Sequence, residues 1–236
     1  MSSEASRVSA LSGFYLNDQL DIDRELIRYR YATLKPFFRG RRCLEMGPAD
    51  GWMTRNLVDD FPELTVLDGS KALLEAIPPA ANLTKVHEMF ETFSPNGRFD
   101  TIIMEHILEH VEDPVALLAR ARAWVEPGGV VLLGVPNANS LHRLAAVKMG
   151  LLGRPDELND RDHALGHRRV YTPDTFLGDI HAAGLDLLEM GGVFLKPLSN
   201  GQIQDQWTRQ MIDAFFELGK EFASNAAEIY AVCQPA

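Results

Sequence analysis

A chain of 236 residues, 46% of them hydrophobic, can bury a large core and suits one α/β domain better than two small ones. Its formal net charge of −10 disfavours the dense basic face that phosphate neutralisation needs, and pairs such as Arg41-Arg42 do not make one, so no nucleic-acid partner is expected. The start Met1-Ser2-Ser3-Glu4 lacks a charged segment followed by an apolar one, and no apolar run approaches the ~20 residues of a membrane span. A cytoplasmic protein without a membrane partner is expected, and Cys43 and Cys233, both in apolar runs, read as small hydrophobes in a reducing compartment.

Residues 1–20 are Ser-rich and weakly patterned, with Phe14, Tyr15 and Leu16 available for burial, and read as a mobile arm. From Asp21 to Phe38, Ile22, Leu26, Ile27, Tyr29, Tyr31, Leu34 and Phe37 make a helical stripe with Asp21 or Asp23 as N-cap. This helix either packs on a sheet edge or closes over a ligand. Residues 1–38 are therefore an arm and lid helix, and 39–236 the main domain.

The stretch from Arg42 to Trp52 organises the remainder of the chain. A short apolar run ends in Glu45, turns on Gly47 and Gly51 and enters a helical pattern. A strand-to-helix loop of this kind presents unpaired N–H groups and the positive end of a helix dipole to a ligand. Beyond it, Trp52 to Asp60 reads as helix, Leu64 to Leu67 as strand, Ser70 to Ile77 as helix and Thr84 to His87 as strand. Thr101 to Met104 and Val130 to Val135 are continuous apolar runs, as expected of parallel strands buried on both faces, with a helix over Val115 to Val125 between them. The alternation predicts an α/β, doubly wound parallel sheet. Regularity lapses over 137–172, a polar insertion too long for an ordinary connection and so a substrate loop, with a helix from Ser140 to Leu152. It returns with a helix over Pro173 to Ala183, a strand over Leu185 to Met190, a helix over Gln202 to Phe222 and a last strand over Glu228 to Cys233. The amphipathic Gln202 to Phe222 segment covers the sheet, an acceptor pocket or a second copy in a homodimer.

Two acids define the ligand. Glu45 stands immediately before the turn, where it would repel a diphosphate and favour an ammonium. Asp68 ends the second strand, suited to accept from two ribose hydroxyls.

With Glu45-Met46-Gly47-Pro48-Ala49-Asp50-Gly51, Asp68, Phe99 to Met104, Leu108-Glu109-His110-Val111 and Glu126-Pro127-Gly128-Gly129 in that order, the chain resembles class I S-adenosylmethionine-dependent methyltransferases. The resemblance covers about residues 40 to 136. It implies a seven-stranded Rossmann-like sheet in the order 3-2-1-4-5-7-6, the last strand antiparallel, and S-adenosylmethionine as cofactor. It implies that Glu45, Gly47, Pro48 and Gly51 line the methionine part, Asp68 holds the ribose, Met89 and Phe90 flank adenine, and Glu105 sits near the ammonium. Ala49 replaces a frequent glycine, and Met89 stands where an acid often receives the adenine amino group, with Glu91 as an alternative acceptor.

His106, Glu109 and His110 fall at i, i+3 and i+4, one face of a helical turn. Ubiquinone-pathway O-methyltransferases look similar here, with a Glu-x-x-Glu-His metal set, but Leu-Glu-His-Val is also a common structural turn after strand four, and no metal is expected. The run Asp162 to Pro173 resembles the Gly-His-x-Arg-x-Tyr-Thr segment of many small-molecule and sugar methyltransferases. It lies after strand five and can reach an acceptor. His163 and His167 are the candidate bases for deprotonating an alcohol or amine, and His106, Arg168 and Tyr171 the candidate acceptor contacts, with Arg168 or Arg169 suited to a carboxylate or phosphate. The expected activity is methyl transfer to an oxygen or nitrogen of a small molecule, a secondary metabolite or sugar. The competing readings are a catalytically silent cofactor-binding protein acting through partners and a nicotinamide-dependent oxidoreductase.

Overall fold

The computed structural model describes residues 4–13, 15 and 21–236. Seven strands form one sheet in the order β3-β2-β1-β4-β5-β7-β6. They are β1 (Arg42–Met46), β2 (Glu63–Asp68), β3 (Leu83–His87), β4 (Phe99–Glu105), β5 (Val125–Pro136), β6 (Leu185–Val193) and β7 (Glu228–Pro235). β1 to β5 are parallel, and β7 runs antiparallel to both β5 and β6. The expected doubly wound order is the observed one.

Alternation of side chains across the strands divides the core in two. Leu44, Met46, Ile102, Met104, Val131 and Leu133 pack against α5 (Pro114–Trp124) and α8 (Pro173–Ala182) on one face. Cys43, Ile103, Val130 and Leu132 face the other way, towards α3 (Thr54–Asp60) and α4 (Lys71–Ala76). With both faces covered, polar residues have no place in mid-strand, which is why these strands read as unbroken apolar runs. Cys43 and Cys233 are free and buried, and burial pushes both thiols up.

Register then places the site. Met46 is level with Leu67 on one side and Met104 on the other, and Glu105 with Gly134. Four neighbouring parallel strands thus finish along one edge, where the strand order reverses and ligands bind in such sheets.

Around this edge the chain departs from its sequence reading in four places. Part of the expected mobile arm is a helix, α1 (Glu4–Gly13), whereas Phe14 and Leu16 lie outside the described residues. The stripe beginning at Asp21 forms α2 (Asp21–Leu34) followed by a 3-10 turn, Lys35–Phe37. Asp23 lies inside α2 rather than capping it, and accepts from Arg161 and Asn200. The insertion contains the expected α6 (Leu141–Lys148) and an unexpected α7 (Asp160–Leu165), built on an Asn159–Asp162 capping box. The segment read as one helix from Gln202 is two, α9 (Asn200–Gln206) and α10 (Arg209–Glu221). The break falls at Trp207, and the Thr208 hydroxyl caps the second helix at Met211 N. From these helices Ile203 and Phe216 pack with Ile22, Leu26 and Tyr29 of α2 around Phe194. Among the described residues no helix is long and apolar enough to cross a membrane.

Candidate active site

A cavity of about 320 Å³ opens along the strand ends. One side is the β1–α3 loop. Gly47 N donates to Leu67 O at 2.9 Å and Gly51 N to Pro48 O at 2.9 Å, and both glycines have left-handed φ, +64° and +81°. A Cβ on Gly47 would lie 2.2 Å from Ile107 Cδ1, so the bare backbone is what keeps this wall in place. Ala49 takes φ +49°, a conformation that suits the glycine it replaces.

Three carboxylates at the ends of β1, β2 and β4 face the same cavity. Glu45 is 3% exposed and accepts from Thr54 Oγ1 at 2.6 Å; burial pushes it up to about 7, with Thr54 opposing and Asp68 adding. Asp68 Oδ1 accepts from Ser70 N at 2.7 Å, while Ser70 itself caps α4, so the helix does not consume the acid. Burial raises Asp68 to about 6 against the Ser70 bond and His87. Glu105 lies over Gly134, its Oε1 is buried without a hydrogen-bond partner, and Arg30 stands 3.9 Å from Oε2. Burial pushes Glu105 up to about 7, with Arg30 and His106 opposing. Buried acids with acceptor capacity left over are costly unless a ligand completes them.

The opposite side is built by the insertion. His167 Nδ1 lies 3.1 Å from Asp162 Oδ1 and its ring meets that of His110 edge-on, with centroids 4.8 Å apart. Burial alone would raise Asp162, but the bonds from His167, Asn159 and Arg143 hold it well below the ordinary carboxylate range. His106 has φ +55°, and its ring lies between Glu109 (Nδ1 to Oε1, 3.0 Å) and Glu228 (Nε2 to Oε1, 3.5 Å). Burial and Arg30 oppose its charged form, but Glu228 and Glu109 outweigh them and raise it to about 9. Burial brings the neighbouring His110 down to about 4 against the pull of Glu109.

The residues singled out in the sequence divide by position. Glu45, Gly47, Pro48, Asp68, Phe90, Glu105, His106 and His167 line the cavity. Gly51, Met89, His163, Arg168 and Tyr171 are not on its wall. Gly51 closes the turn against Ile77, and the Met89 sulfur packs on Gly69. His163 is exposed in the last turn of α7. Tyr171 is 2% exposed in the core, donating to Asp179 at 2.8 Å. Arg168 donates to His110 O and Glu4, and Arg169 to the carbonyls of Leu108, Val111 and Glu112, because the turn after β4 leaves those carbonyls without helical partners.

Asp162, Arg143, Arg30, Glu228 and Lys196 also belong to the cavity wall, and the sequence reading gave none of them a role. Only Asp162 left a local signal, as the third residue after the capping Asn159. For a metal, the described residues that gather ligand atoms within 4.8 Å of one another are Glu109, His110 and His167, so the His106-containing set is replaced by one that includes the insertion.

The family described as "Methyltransferase domain" matches residues 19–190, most of the chain. The chain belongs to the class I S-adenosylmethionine-dependent methyltransferases. This methyltransferase is 28% identical over 173 residues to a ubiquinone biosynthesis O-methyltransferase of Vibrio parahaemolyticus, spanning 68% of the chain and 70% of the relative. Its fold is that of the CcbJ methyltransferase of Streptomyces caelestis, with a TM-score of 0.61 at 16% identity over 89% of this chain and 95% of that one. It is equally that of the N-methyltransferase NodS of Bradyrhizobium japonicum, at 0.59 and 15% identity over 98% and 96%. S-adenosylmethionine is the methyltransferase's cofactor. The unpartnered Glu105 Oε1, the Asp68 carboxylate at the end of β2 and the glycine cradle at Gly47 fit a ligand that carries an ammonium and vicinal hydroxyls.

Proposed function

We propose that the chain methylates an oxygen or nitrogen of a small-molecule acceptor, a secondary metabolite or sugar. The observation that carries this is the Asp162–His167 pair, set on the wall of the same cavity as Glu45 and Asp68. Relatives named for oxygen and for nitrogen transfer both support an acceptor with a proton to lose.

In this reading Glu45, Gly47 and Pro48 hold the methionine part, Glu105 faces its ammonium, Asp68 accepts from the ribose and Phe90 flanks adenine. S-adenosylmethionine supplies a methyl group activated by positive sulfur. The protein's share is to align the acceptor and take its proton. His167 does so at Nε2, because Nδ1 is committed to Asp162, which fixes the orientation of the ring. Water is kept out by α1 and α2, whose Val8, Leu11, Leu26 and Ile27 line the cavity. Arg7 ties α1 across it, donating to Gly166 O at 2.9 Å and His110 O at 2.8 Å.

Calorimetric titration with S-adenosylhomocysteine, alongside transfer of a tritiated methyl group to a panel of small hydroxy and amino compounds, tests both halves. His167→Ala is expected to bind the ligand and lose transfer, and His163→Ala to keep both. No ligand binding by the wild type overturns the cofactor reading; undiminished transfer by His167→Ala removes the histidine.

A further inference from the structure

The insertion end of the cavity holds an ammonium with no carboxylate of the described residues in ion-pair contact. Each guanidinium there has its own carboxylate: Arg30 donates to Glu228 (Nε to Oε2, 2.6 Å), Arg143 to Asp162 (3.0 Å) and Arg161 to Asp23 (3.1 Å). Lys196 does not. Its ammonium donates to Asn200 Oδ1 at 2.9 Å and has no carboxylate partner among the described residues. The backbone fixes its place, since His142 N donates to Lys196 O at 3.1 Å and so ties the loop after β6 to the start of α6. β6, whose following loop carries Lys196, and β2, whose end carries Asp68, lie on opposite sides of the central β1–β4 pair, so the two residues stand towards different ends of the cavity.

We propose that Lys196 is the acceptor's anchor and that the acceptor is an anion, carrying a carboxylate or phosphate that pairs with this ammonium at the insertion end of the cavity. The inference rests on the methyltransferase reading and adds the charge class of its substrate. An ammonium with three donors, one of them used, in a partly buried wall is poorly solvated, and an anion is the ligand that completes it. Burial brings Lys196 down to about 8, with Glu228 and Asp23 opposing at a distance and Arg161 and Arg143 adding, a balance that an anion in direct contact would shift towards the charged form. A neutral acceptor would leave the ammonium without a contacting anion.

The test uses the full chain saturated with S-adenosylhomocysteine and titrated calorimetrically with 4-hydroxybenzoate, phenyl phosphate and the uncharged 4-hydroxybenzamide. At least tenfold preference for one of the anions over the amide is expected. Which anion wins separates a carboxylate from a phosphate. Lys196→Gln should abolish the preference and Lys196→Arg retain most of it, with S-adenosylhomocysteine affinity in each variant reporting that the fold is intact. Equal or absent binding of anions and amide by the wild type, or an undiminished preference in Lys196→Gln, overturns the proposal. Failure of S-adenosylhomocysteine itself to bind would instead overturn the methyltransferase reading.

Discussion

Asp162 reaches His167 Nδ1 with Oδ1 at 3.1 Å, while its Oδ2 accepts from Asn159 N at 2.9 Å and from Arg143 at 3.0 Å. One carboxylate therefore starts α7, neutralises a buried guanidinium and sets the tautomer of the proposed base. Asp162→Asn keeps the helix cap but removes the charge. It is expected to lower the turnover number roughly a hundredfold or more, the scale of a misoriented general base, and to cost about 3 kcal/mol by leaving Arg143 with a broken buried pair. S-adenosylhomocysteine affinity should stay within about threefold. Steady-state kinetics with urea denaturation check this, and an unchanged turnover number would show that His167 does not depend on Asp162.

Gly47 and Ala49 make opposite predictions from the same loop. Gly47→Ala puts a Cβ 2.2 Å from Ile107 Cδ1 at φ +64°, so it adds about 1–2 kcal/mol of backbone strain and displaces a residue of the cavity wall. Cofactor affinity should fall at least tenfold. Ala49→Gly relieves the strain at φ +49° but loosens the unfolded chain, leaving a net gain of about 0.5 kcal/mol. Denaturation midpoints that move in the same direction for both variants would contradict the left-handed assignment of this turn.

The parts of the fold that depend on local pattern were legible in the sequence. Glu45 and Asp68 each follow an apolar strand and precede a helix, so their place at the strand ends is set by order alone. The charge pairs of the cavity have no local signature. Arg30 and Glu228 are 198 positions apart and meet only because β7 inserts between β5 and β6. Tyr171 shows the other limit: an aromatic residue in a motif beside the site can point into the cavity or into the core, and only packing against Phe176 and Asp179 decides. The break at Trp207 was hidden because apolar spacing continues through it, although Thr208 followed by helix formers is a recognisable start.

Tyr171 consequently yields a stability prediction. Tyr171→Phe removes the hydroxyl that donates to Asp179 and leaves the ring in the core. It should cost about 1 kcal/mol, the net worth of one hydrogen bond, with no change in turnover number or KM. Arg169→Ala should cost more, because three carbonyls of the turn carrying His110 lose their donor. A rise in KM for Tyr171→Phe at unchanged stability would return the residue to the acceptor site.

Cofactor binding should be linked to protons. Glu45 and Glu105 are pushed up to about 7 and Asp68 to about 6, in each case chiefly by burial, from ordinary values of 4.5, 4.5 and 3.8. An acid whose folded value is raised contributes stability that is full below its unfolded value and lost as pH climbs through the folded one. Between about pH 5 and 7 these acids therefore destabilise the ligand-free protein as pH rises. His106, raised to about 9 chiefly by Glu228 and Glu109 against burial and Arg30, acts in the same direction above its ordinary 6.5. Glu109, Glu228 and Asp162 are held low, so their contributions change only in acid, outside this window. A ligand ammonium favours the ionised carboxylates, so S-adenosylhomocysteine should bind more tightly at pH 8 than at pH 6 and release protons on binding at pH 6.5. Calorimetry at pH 6.5 in two buffers of different ionisation enthalpy measures the release directly, and it should shrink towards zero by pH 8.5. Glu105→Gln should reduce it. Proton uptake, or heats independent of buffer, would mean that these carboxylates do not face the cofactor's charge.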